Sequence, residues 1–99
     1  MGAQGTATLN FGAFPGDTSA TVAVTGQAGI LAGSLVEAWI FPAATADHTA
    51  DEHTVETIRV FAANVVAGTG FTIYGIYQNE TPNYGAKVYG AWNVGWVWN

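Results

Sequence analysis

Apolar side chains recur at every second residue in short runs, and turn-forming residues separate one run from the next. A period of two is the signature of a strand with one face buried. It is clearest in "KVYGAWNVGWVWN" (87–99), which sets Val88, Trp92, Val94, Trp96 and Trp98 on one side and Tyr89, Ala91, Asn93, Gly95 and Val97 on the other. Terminal residues usually fray unless something ties them down. A face carrying three indoles therefore reads as a docked strand. Five further runs have strand character: "TATLNF" (6–11), "TVAVT" (21–25), "SLVEAWIF" (34–41), "TVETIRVFAANV" (54–65) and "FTIYGIY" (71–77). The segments between them carry the Gly, Pro, Asn and Asp that turns require. The spacing predicts an all-β chain, an antiparallel β-sandwich of about six strands folded as one domain over residues 1–99. Residues 1–20 have a second reading as an extended N-terminal arm. No run carries a convincing helical stripe, and 13 glycines argue against one. "AATADHTADEHTVE" is the exception, open to a turn or two of helix.

The same alternation assigns faces in the middle strands. Val36, Ala38 and Ile40 oppose Leu35, Glu37, Trp39 and Phe41, and Ile58 and Val60 oppose Thr57, Arg59 and Phe61. Large apolar groups fall on both faces, whereas the outer face of a free sandwich should be polar. Trp39, Phe41, Phe61 and Tyr77 exceed what a lone chain of this size is expected to expose. Phe41, Phe61 and Tyr77 are accordingly expected at a subunit interface, the alternative being that these side chains cover the ends of the barrel or a wrapped terminus.

Composition narrows the functions. Hydrophobic residues make up 49% and charged residues 9%, which excludes a disordered acidic chain despite a net charge of −5. Two basic residues, Arg59 and Lys87, cannot supply the cationic footprint of a nucleic-acid binder. Without cysteine there is no disulfide framework and no thiolate site. Apolar runs are interrupted well short of a membrane span, and the first residues lack the pattern of a signal peptide, so no membrane role is expected.

Candidate chemistry concentrates in "ADHTADEHTVE" (46–56). Imidazole nitrogen and carboxylate oxygen from Asp47, His48, Asp51 and His53 could hold a divalent cation. The spacing matches neither the helical zinc-hydrolase motif nor the calcium-binding loop. The expected alternative is a solvated acidic loop that caps the next strand or meets Arg59 and Lys87 of a neighbouring copy. Ser19 and Ser34 lie in Gly/Thr loops with no adjacent histidine, and "GTG" (68–70) leads into a strand, so it is no phosphate loop. Neither an enzyme nor a cofactor is expected.

"NVVAGTGFTIYGIY" (64–77) followed by "YGAWNVGWVWN" (89–99) resembles the C-terminal half of the H-type lectin domain. Asn64, Val65, Gly70, Phe71 and Thr72 match its turn, and Val94 and Trp96 its last strand. That resemblance implies a six-stranded antiparallel sandwich, a homotrimer and a glycan ligand. Trp39, Tyr84 and Trp98 are the candidate contacts to a sugar or partner. Over its whole length the chain is also similar to short, Cys-free, Gly/Ala/Thr-rich structural proteins of tailed bacteriophages. That second resemblance implies a virion location, as capsid decoration or tail or baseplate appendage. Its partners would be other virion proteins, with a host surface glycan as a further ligand.

Overall fold

The computed structural model describes residues 2–77 and 87–99. Six strands and one short helix follow in the order β1 (Ala3–Asn10), β2 (Ser19–Val24), β3 (Val36–Ile40), α1 (Ala50–Val55), β4 (Ile58–Val66), β5 (Gly70–Tyr77) and β6 (Ala91–Trp98). They form two antiparallel three-stranded sheets, β1-β6-β3 and β2-β5-β4. β1 lies against β2 and β3 against β4, so the sheets stack as a sandwich with the core between them. The all-β antiparallel expectation is met. Residues 3–10, for which an arm was the second reading, are instead a full edge strand paired along β6.

Alternation fixes which side chains enter the core. From β6 come Trp92, Val94, Trp96 and Trp98, all buried, and from the facing sheet come Val24, Ile58, Phe71 and Ile73. Small residues make room for the indoles. Trp96 is flanked in register by Gly5 and Ala38, and a Cβ at Gly5 would stand 2.6 Å from its Cζ2. Phe71 of the opposite sheet meets the same indole edge to face, with ring centroids 5.5 Å apart. Gly75, in the middle of β5, does likewise for β1, since a Cβ there would lie 2.6 Å from Leu9 Cδ1. Large and small positions thus interlock across the layers, as close packing demands.

Tyr77 departs from its assignment to an interface. Odd positions of β5 point inward, so its ring packs against the core and its hydroxyl donates to Glu56 Oε1 at 3.3 Å. Burial, and then the nearby Glu56 carboxylate, hold that phenol above its ordinary pKa.

β4 contains an irregularity between Ala63 and Val66, where Asn64 adopts φ 59°. Asparagine tolerates this left-handed conformation better than any β-branched residue. Asn64 is exposed, so substitution there tests backbone and not packing. Asn64→Val should cost about 1–2 kcal/mol in urea unfolding while Asn64→Gly costs nothing measurable. Equal midpoints for the two variants would show that the bulge carries no conformational demand.

Candidate functional site

Two places on the molecule gather functional side chains. The first is the corner where residues 45–56 pack on the start of β6. Thr45 Oγ1 donates to the Ala91 carbonyl at 2.8 Å, and Asp47 Oδ2 accepts from the Ala91 amide at 2.7 Å. Thr49 then starts α1 through a capping box: its Oγ1 accepts from the Glu52 amide, and Glu52 Oε1 accepts from the Thr49 amide at 2.9 Å. The turn or two of helix left open by the sequence is thereby formed, and it shortens the strand expected from residue 54. Backbone and ring hydrogen bonds, from Thr49 and then His48, lower the Glu52 pKa and keep its carboxylate ionised at neutral pH.

His48 and His53 are only 4% and 3% exposed. Both pack against the indole of Trp92, which is stacked on His48 at 3.8 Å between centroids and 19° between planes, and tilted against His53 at 4.8 Å. His48 Nδ1 is 3.0 Å from Glu52 Oε2, and its Nε2 bonds the Tyr89 carbonyl. His53 Nδ1 bonds the Thr49 carbonyl at 2.7 Å, and the Asn93 amide donates to its Nε2 at 3.0 Å. Every ring nitrogen is engaged.

The metal reading of Asp47, His48, Asp51 and His53 is therefore corrected. Among the described residues no three His, Asp or Glu side chains converge to hold an ion. Asp47 is turned to a backbone amide, and Asp51 is exposed on the first turn of α1. The solvated-loop alternative also needs correction, because both imidazoles are core. The sequence signal for this was "TADE" (49–52), a capping-box pattern that begins a helix and thereby fixes which way the flanking histidines turn.

The second place is the outer face of β1-β6-β3. Gln4, Gly5, Thr6, Trp39, Phe41 and Gly95 line a shallow groove there, with Trp39 43% and Phe41 42% exposed. Gly95 creates it, since a Cβ at that position would stand 2.8 Å from the Trp39 indole. On the outer face of the other sheet, Phe61 stacks on Tyr74 at 5.2 Å, and the Arg59 guanidinium lies 5.0 Å from the Phe61 centroid. The face alternation placed Phe61 and Arg59 outside; their union with Tyr74 follows from the β4–β5 register, which residue spacing alone does not supply.

Trp98, expected to contact a sugar or partner, is instead buried, with Nε1 donating to Gln27 Oε1 at 2.8 Å. Tyr84 lies outside the described residues. Compared with family models, with curated proteins and with solved structures, the chain has no significant match.

Proposed function

We propose that this chain is a non-enzymatic structural protein of a tailed-bacteriophage particle, a capsid decoration or a tail or baseplate appendage, that acts by trimerising and by contacting other virion proteins. The phage part of this reading rests on the sequence resemblance. The observation that carries the assembly part is the outer face of β1-β6-β3, where Trp39 and Phe41 stand exposed above Gly95. Two large apolar side chains on one open sheet face favour burial against another protein surface. The buried histidines support a structural role as well, because their ring nitrogens are committed to holding the fold. Light scattering coupled to size exclusion should give about three times the 10.3 kDa chain mass. Trp39→Ser combined with Phe41→Ser should return a folded monomer, with the circular dichroism of the parent. A wild-type monomer at micromolar concentration would remove the trimer.

A second reading, a glycan-binding module, is favoured by one feature of the same groove. An indole wall beside the Gln4 amide and Thr6 hydroxyl is the combination of flat apolar surface and directional polar groups that suits a sugar ring. Trp39→Ala would abolish glycan-array binding on this reading and leave none to lose on the first.

A further inference from the structure

A ring of three copies is not built from one patch. Rotation by a third of a turn sets a surface of each copy against a different surface of the next, so every chain needs two complementary faces. The Trp39–Phe41 face of β1-β6-β3 is one of them. The chain also carries a net charge of −5, so copies repel one another at a distance and their contact needs local attraction. The outer face of β2-β5-β4 meets both needs. Phe61 and Tyr74, opposite each other in the β4–β5 register, are half-buried and stack at 5.2 Å with 13° between planes. Arg59, one of two basic residues in the chain, is exposed beside them, its guanidinium 5.0 Å from the Phe61 centroid.

The two faces match in chemistry and in spacing. Glu37 is exposed on the outer face of β3, two residues before Trp39, as Arg59 stands two residues before Phe61 on β4. On a strand that separation is about 6.5 Å in either case. β3 of one copy, laid along β4 of the next in the same direction, therefore brings Glu37 to Arg59 at the same time as the Trp39 indole to the Phe61–Tyr74 pair. Neither charge is spent within its own chain. Among the described residues the ion pair is between His48 and Glu52, and Arg59 meets an aromatic ring and no carboxylate. A guanidinium lying over a ring keeps its in-plane N–H donors for a carboxylate. Aromatic rings closing around such a pair exclude water and strengthen it. β3 lies against β4, so both faces flank one edge of the sandwich.

We infer that the outer face of β2-β5-β4 is the docking surface for a second copy of this chain, whose Trp39 enters the Phe61–Tyr74 patch and whose Glu37 pairs with Arg59. The inference rests on the trimer reading and names the second surface that reading requires. Charge reversal tests it. Glu37→Arg and Arg59→Glu, made singly, set like charges opposite each other at every contact of the ring. Each should raise by about tenfold or more the concentration at which half the chain is trimeric in sedimentation velocity, with the far-ultraviolet circular dichroism of the parent. Glu37→Arg combined with Arg59→Glu restores opposite charges and should return that concentration to within about twofold of the wild type. Recovery in a chain that carries both substitutions excludes misfolding as the cause of the single losses. Single variants as trimeric as the wild type, or a combined variant no better than the single ones, would overturn the inference. If the wild type is then still a trimer that Trp39→Ser with Phe41→Ser dissociates, the trimer reading survives and Arg59 faces something other than a neighbouring copy. A wild-type monomer removes both.

Discussion

Trp92→Ala should lower the unfolding free energy by about 3–5 kcal/mol, enough to abolish folding in a domain whose total stability lies at the lower end of about 5–15 kcal/mol. The side chain is 1% exposed, and it pairs in register with Leu9, itself fully buried. Its removal takes away more than transfer free energy. The two imidazoles now packed against the indole would face a cavity, and the Tyr89 carbonyl would lose the indole N–H that reaches it at 3.1 Å. A cavity edged by polar groups is costlier than one that can collapse, or else it fills with water. Urea unfolding followed by far-ultraviolet circular dichroism avoids the change in fluorescence that losing a tryptophan entails. A midpoint equal to that of the wild type would show that β6 is not docked as described.

Trp98→Ala should cost a similar amount, about 3–5 kcal/mol, and at the level of the single chain. Its place near the end of the last strand suggests a seam between subunits, but its surroundings are those of a core residue. Ala3 and Val36 flank it in register, Gly29 lies 3.5 Å from its ring when a Cβ is built there, and its N–H is bonded to Gln27. Trp98→Phe separates area from hydrogen bond: it keeps most of the apolar surface and leaves Gln27 Oε1 without its donor, for a cost of about 1–3 kcal/mol. Unfolding at several protein concentrations distinguishes the two roles. A seam residue would give a loss that shrinks as concentration rises, through mass action. The core role requires a loss that does not depend on concentration beyond the wild type's own dependence.

The strands and the inward face of β6 were legible because both follow from a two-residue period over runs of Val, Ile and aromatic residues, where local preference and burial agree. Even Trp98 was on the correct face; what misled was its position near the terminus, which says nothing about whether Gln27 comes round to meet it. Tyr77 was missed for a different reason. Its strand alternates large residues on both sides, with Tyr74 and Ile76 outside and Ile73 and Tyr77 inside, so composition alone does not tell the faces apart. The Asp/His loop was the least legible part. Acids and imidazoles close in sequence are equally the raw material of a metal site and of a hydrogen-bonded corner. The choice between them is made by Tyr89, Ala91 and Asn93, some forty residues away. The groove at Trp39 was half visible: the exposed indole could be inferred from alternation, whereas the floor that Gly95 provides depends on the register of β3 on β6.

The strand order β1-β6-β3 has a kinetic consequence. β1 and β3 share no hydrogen bonds with each other, so that sheet does not exist until the last strand enters between the first and the third. Leu9 must find Trp92 across a separation of more than eighty residues, and Val36 must find Trp98 across more than sixty. Contact order is accordingly high, and the entropy of closing those loops precedes most of the apolar burial that rewards it. Folding of such a chain is slow for its length and close to all-or-none. Until β6 arrives, β1 and β3 each offer unpaired edges to any neighbouring chain, and the interval before closure is when copies of this protein are most exposed to mispairing with one another.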